Sequence, residues 1–173
     1  FPTRRSSDLL IVGYGSSRGN YKLMCRKEKL IADALREYGP MIKGPVDALR
    51  YMGGFDLAAI CGAMLACVKA HIPFYVDGFI TAAALVCAVQ LNDEVRRYAL
   101  LSHLSREAGM AVALRTVGMD ESQIPIHGEL SLGEGTGAVL AVSLIQSMMY
   151  AIWHMGTLDN VNESAERRRK GGE

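Results

Sequence analysis

Apolar residues return with helical spacing between Tyr21 and Tyr38, where Leu23, Leu30, Ile31, Ala34 and Leu35 share one broad face. Gly39-Pro40 stops that run, and residues 46–52 form a shorter helix closed by Gly53-Gly54. Beyond Asp56 the pattern loses its polar side. Residues 57–68 are apolar nearly all round, which predicts a helix covered on most sides. Ile72-Pro73-Phe74-Tyr75-Val76 is the clearest strand, with Pro73 near its start, where a strand tolerates proline. Residues 81–89 give a second Ala-rich buried helix, residues 98–101 a strand ending at Ser102-His103, and residues 107–117 another helix. Residues 118–130 read as a loop around Pro125 with room for a short strand, and Thr136–His154 as a long apolar helix. At the front, Leu10-Ile11-Val12 is a short buried strand running into the glycine-rich segment 13–19.

Strands alternating with helices predict an α/β fold: a Rossmann-like parallel sheet with flanking helices, right-handed crossovers and a long C-terminal helix. In such sheets ligands gather outside the carboxyl ends of the strands. Residues 13–19, Asp77-Gly78-Phe79 and Ser102-His103-Leu104-Ser105 fall there, and Gly133-Glu134-Gly135-Thr136-Gly137 joins them because it opens a helix.

Composition narrows the function. The chain has 173 residues, enough for one domain or a large part of one, and half of them are hydrophobic. Nineteen Lys and Arg against 18 Asp and Glu leave a net charge of +1, so no basic surplus points to nucleic acid or an anionic membrane. Aromatic residues are 7%, too few for a base-stacking platform. The longest uninterrupted apolar run, residues 57–68 with Gly62 counted in, is short of the roughly 20 residues a membrane span needs. Cys25, Cys61, Cys67 and Cys87 form no CxxC pair and read as buried free thiols in a reducing cytoplasm. Residues 1–9 look like the translation of a sequencing adapter and are set apart from the fold. Residues 10–159 are then the C-terminal part of a longer α/β domain, and residues 160–173 a polar, solvated tail.

Two segments carry candidate chemistry. Residues 13–19 offer free backbone N–H groups before a helix, which suits either a phosphate nest or a plain tight turn. They match neither a Walker loop nor GxGxxG spacing. Lys27, on the next helix, would add a positive charge to a phosphate there, or be a solvated surface lysine. Glu134 stands alone between two glycines, where backbone and ligand can approach closely. It is either a working carboxylate or an exposed residue in the first turn of a helix. His71, His103, His127 and His154 show no paired metal spacing. Of these, His71 reads as a helix end and His103 alone as near a pocket.

Taken in order, Gly53-Gly54-Phe55-Asp56-Leu57, Gly62-Ala63-Met64-Leu65, Val76-Asp77-Gly78-Phe79-Ile80, Ser102-His103-Leu104-Ser105 and Leu132-Gly133-Glu134-Gly135-Thr136-Gly137-Ala138 resemble the nicotinate-nucleotide–dimethylbenzimidazole phosphoribosyltransferase family. The resemblance runs from about residue 12 to about residue 156. It implies transfer of phosphoribose from nicotinate mononucleotide to 5,6-dimethylbenzimidazole, giving α-ribazole 5′-phosphate and nicotinate. It also implies a homodimer when whole, small-molecule substrates alone, and no metal or other cofactor. Residue by residue, Glu134 falls on the catalytic base and Gly15, Ser16 and Ser17 on the phosphate loop. Lys27 falls on a lysine near that phosphate, and Ser105, Leu132 and Gly133 on positions lining the nucleotide and base pocket. Ser131 stands where relatives often carry Arg, the loop between His103 and Glu134 is a few residues longer, and the family's N-terminal half is absent.

Overall fold

The structure, a computed structural model, describes residues 20–130, 134–160 and 162. The strand expected at residues 10–12, the loop 13–19 with Gly15, Ser16 and Ser17, and Ser131, Leu132 and Gly133 lie outside the described residues. So do residues 1–9 and the tail from 163. The chain divides into two compact units, Phe1–Ala141 and Val142–Glu173.

In the first unit the elements follow in the order α1 (Tyr21–Tyr38), α2 (Pro45–Tyr51), α3 (Phe55–Lys69), β1 (Phe74–Val76), α4 (Phe79–Leu91), α5 (Val95–Tyr98), β2 (Ala99–Leu101), β3 (His103–Ser105), α6 (Ala108–Thr116) and β4 (Ile126–Leu130). The long helix α7 (Thr136–His154) begins in this unit and continues into the second. Among the described residues the strand pairing is parallel, in two two-stranded sheets: β1 with β2, Phe74 facing Ala99, and β3 with β4, His103 facing Ile126. This is the α/β arrangement that the alternation of strands and helices implies.

Local chemistry explains the boundaries. The side chain of Asn20 accepts the Leu23 N–H at 3.1 Å and starts α1. His71 ends α3 in the left-handed region, φ 57°, and its Nδ1 meets the Tyr98 hydroxyl at 2.8 Å. Thr81 Oγ1 accepts the Gly78 N–H at 3.0 Å and donates to the Gly78 carbonyl at 2.8 Å, which fixes the step from β1 into α4.

α4 is the centre of the core. Ala82, Ala84, Leu85, Ala88 and Val89 are buried on it, and they sit among Met64 of α3, Val76 and Leu101 of the strands, and Met110 and Leu114 of α6. Gly109 lets α6 come down onto the ring of Phe79, since a Cβ there would overlap the ring edge.

Several expectations are corrected. Ser102-His103-Leu104-Ser105 is not the loop after a strand. The extended chain is interrupted at Ser102 and resumes as β3, because the backbone changes partners there from β1 to β4. A one-turn helix, α5, precedes β2 where no element was expected, and the short strand in 118–130 exists as β4. The helix over 57–68 is buried on one side only. Cys61, Met64 and Val68 face the core, while Phe55, Ala59, Gly62, Ala63 and Ala66 are exposed. Apolarity all round a helix does not by itself say which side is covered. Cys25 is exposed on α1 instead of buried. Finally, Thr136–His154 is long and apolar enough to cross a membrane, by length and composition only. Counting uninterrupted apolar runs misses it, because Gly137, Ser143, Gln146 and Ser147 break the run without adding charge. A helix meant to be covered by protein passes the same test.

Among the described residues of the second unit, several large apolar side chains are exposed. Ile145, Met148, Met149, Ile152 and Trp153 are exposed on α7, Trp153 to 76%. Helix α1 also buries no residue, and Leu30, Ile31 and Leu35 of its apolar face are exposed.

Candidate active site at the carboxyl ends of the strands

Asp77 is the first residue past β1, and Ser102 the first past β2. Both are buried, as is His103, which is 0% exposed. Ser102 Oγ lies 2.8 Å from the Val76 carbonyl, 3.0 Å from that of Asp77 and 3.1 Å from Nδ1 of His103. A hydroxyl has one hydrogen, and two carbonyl oxygens already compete for it. The Nδ1 of His103 must therefore carry a hydrogen and donate to Oγ. This places Nδ1–H 3.9 Å from Asp77 Oδ1, and it leaves the buried Nε2 without a hydrogen-bond partner among the described residues.

The carboxylate of Asp77 reaches across to the start of α7. Its Oδ2 accepts the Gly135 N–H at 3.1 Å and its Oδ1 accepts the Ala138 N–H at 3.0 Å. The first amides of a helix have no partner inside it, and the positive end of the helix dipole lies there, so a carboxylate is the favoured acceptor. Asp77 is thus a cap supplied to α7 from a distant strand.

What Asp77 holds is the turn that carries Glu134. Glu134 has φ 62° and Gly135 φ 85°, two left-handed residues in succession. Gly135 adopts that region freely, whereas for a glutamate it is strained by about 1–3 kcal/mol. Strain of this kind persists only where the surroundings enforce it, and it collects at functional positions. The Glu134 side chain is exposed. Gly137 closes the arrangement from below: it is buried against His103, and a Cβ there would come within 2.6 Å of the imidazole Cγ and closer still to Nδ1 and Cε1.

The remaining candidates divide. Ser105, half-buried at the end of β3, accepts the Glu107 N–H at 3.2 Å and lies in register with Leu130, the last residue of β4 before the Glu134 turn. Lys27 is half-buried on α1, while the loop it would serve lies outside the described residues. His103 does belong to the site, as a buried wedge and not as a ligand-facing group. The sequence places Asp77 at the strand edge but does not show its role as a cap. An acid directly after a β-strand and before Gly is the only signal, and nothing in the sequence says that residues 58 and 61 positions onward receive its two oxygens. Among the described residues no three of His, Cys, Asp and Glu gather in a way that could hold a metal ion.

Comparison with known proteins gives the family. A family model described as phosphoribosyltransferase matches residues 7–162, which takes in the strand edge, the Glu134 turn and α7. The chain belongs to that phosphoribosyltransferase family. Similar relatives are the nicotinate-nucleotide–dimethylbenzimidazole phosphoribosyltransferases of Clostridium tetani, 33% identical over 148 residues, and of Clostridioides difficile, 33% identical over 154 residues. The matches cover 86% and 89% of this chain but 40% and 43% of those proteins. A crystal structure of the same enzyme from Thermus thermophilus superposes with a TM-score of 0.71 at 32% identity, over 90% of this chain and 46% of that one. The chain therefore spans less than half the length of the relatives it matches. The family read from the five motifs is the one found, and the α/β fold expected with it is the fold observed.

Proposed function

We propose that this chain carries the catalytic part of a nicotinate-nucleotide–dimethylbenzimidazole phosphoribosyltransferase. The observation that supports it best is a lone carboxylate, Glu134, held in a strained turn at the carboxyl edge of parallel strands, in a chain of that family. One ring nitrogen of dimethylbenzimidazole attacks C1′ of the ribose, and the bond from C1′ to the pyridinium nitrogen of nicotinate breaks. The bonding pair leaves with nicotinate and neutralises its ring. The attacking ring becomes cationic, so the N–H on its other nitrogen turns acidic, and the Glu134 carboxylate takes that proton. A base within hydrogen-bond reach of such a proton contributes about 10²–10⁴-fold to the rate, and the same negative charge stabilises the cation as it forms.

In this reading Gly15, Ser16 and Ser17 hold the phosphate with Lys27 nearby, and Ser105, Leu132 and Gly133 line the pocket. The exposed apolar surfaces of α1, α3 and α7 are then faces covered in the whole protein, by the rest of the family fold and by a second copy. The substrates are small molecules, no cofactor takes part, and the reaction is cytoplasmic. The test is product formation by the full-length gene product. Nicotinate mononucleotide and dimethylbenzimidazole should yield α-ribazole 5′-phosphate and nicotinate in equal amounts, with no added metal. Nicotinate release that does not depend on the base, or no release at all, would reject the proposal.

A further inference from the structure

We infer that Asp77 is a positioning residue for the transfer reaction: it fixes the direction in which Glu134 presents its carboxylate. This rests on reading Glu134 as the base. The argument is geometric. The Gly135 N–H belongs to the peptide that joins Glu134 to Gly135, so the bond to Oδ2 at 3.1 Å fixes the peptide plane next to the Glu134 Cα and with it the ψ of that residue. The bond from Ala138 N–H to Oδ1 at 3.0 Å fixes the first turn of α7 at the same time. One carboxylate therefore clamps both sides of the exit from a turn that a glutamate does not adopt by preference.

The clamp is itself braced. The Asp77 side chain is 12% exposed, its backbone carbonyl lies 3.0 Å from the Ser102 hydroxyl, and His103 packs between Asp77 and Gly137. Two acceptor oxygens are needed because two amides are served. Asparagine offers one, so Asp77→Asn keeps size and shape and releases one amide. Both amides belong to the open start of α7, and the Gly135 amide is also the one in the peptide shared with Glu134, so capping the helix and setting the Glu134 backbone are one act. Small displacements of a catalytic group, on the order of 1 Å, cost about 10²-fold in rate.

The experiment is a double-mutant cycle in the full-length protein, with nicotinate release as the readout. Asp77→Asn should lower kcat by about 10- to 100-fold and leave KM for nicotinate mononucleotide within about threefold, because the Asp77 oxygens are engaged by the Gly135 and Ala138 amides and not by a ligand. On a Glu134→Gln background the same change should cost almost nothing further, since a residue that acts through Glu134 has nothing left to position. An undiminished loss on that background, a loss confined to KM, or normal turnover of Asp77→Asn would overturn the inference. Hydrogen exchange on the unsubstituted protein guards against a variant that fails to fold: the Gly135 and Ala138 amides should exchange at least tenfold more slowly than in an unstructured chain. Unprotected amides would overturn the inference as well. If Glu134→Gln alone turns over normally, the base reading fails and the catalytic role of Asp77 falls with it, while the exchange data still decide whether Asp77 holds the turn.

Discussion

Adding a single methyl group at Gly137 tests whether the site is built as described. Gly137 is in α7, where Gly→Ala ordinarily stabilises a helix by up to about 1 kcal/mol. Here the new Cβ would meet the imidazole of His103 at 2.6 Å from Cγ and closer to Nδ1 and Cε1. Carbon atoms pack at about 3.5–4.0 Å, so the ring must retreat by about 1 Å or more. It has no free space to enter, since His103 is fully buried. Overpacking of this kind costs about 1–3 kcal/mol, and loss of the Ser102–His103 hydrogen bond adds about 0.5–1.5 kcal/mol. Set against the helical gain, the net is a destabilisation of about 2 kcal/mol and a fall in Tm of about 4–8 °C for a chain of this size. The control is Gly62→Ala in α3, where a Cβ meets nothing within 4 Å and stability should rise slightly. Thermal and urea unfolding followed by circular dichroism would read both. A Gly137→Ala protein as stable as Gly62→Ala would show that His103 does not lie under the α7 turn, and the site geometry would have to be abandoned.

Thiol reactivity should rank the cysteines: Cys25 is exposed and reacts first with a disulfide reagent. Burial pushes the Cys61 and Cys87 thiols up, so they hold little thiolate and react last; rapid labelling of Cys61 in the folded protein would contradict the core packing. Trp153, exposed on α7, should emit like a solvated indole in this chain and shift to shorter wavelength in the full-length protein. Identical spectra would mean that the apolar face of α7 stays uncovered. Asp120 accepts the Ser122 N–H at 2.7 Å, and its hydrogen bonds from Ser122 hold its carboxyl below the usual carboxylate range, with Arg115 adding to the effect. A group depressed in the folded state stabilises above its unfolded pKa and loses that contribution as pH falls through the folded value. An NMR titration should therefore find Asp120 below an ordinary aspartate, and Asp120→Asn should remove its share of the acid sensitivity. Titration at the ordinary value would disprove the cap.

Much of the fold is legible because its elements are bounded by local chemistry. Tyr21–Tyr38 and Thr136–His154 begin and end where caps, glycines and periodicity place them. The helix centred on Leu85 reads as buried from its lack of a polar face, and it is buried because α3, the strands and α6 pack around it. Where the expectation fails, the cause is not local. Nothing near Ser102 announces that the strand changes partners there, because the reason lies in β1 on one side and β4 on the other. The same applies to the site. Glu134 stands out between glycines, but its backbone strain and the clamp from Asp77 depend on a contact between residues 58 and 61 positions apart. The position of His103 at a strand end points to the site, yet its task, a wedge beneath Gly137, is set by close packing that no spacing rule contains.

The most direct test of the central claim is the turnover of Glu134→Gln in the full-length protein, measured as nicotinate released from nicotinate mononucleotide with dimethylbenzimidazole present. Glutamine keeps the size of the side chain and removes the proton acceptor. If Glu134 is the base, kcat falls by about 10²–10⁴-fold while substrate binding is retained. Near-normal turnover of the glutamine variant would take Glu134 out of the chemistry and contradict the account.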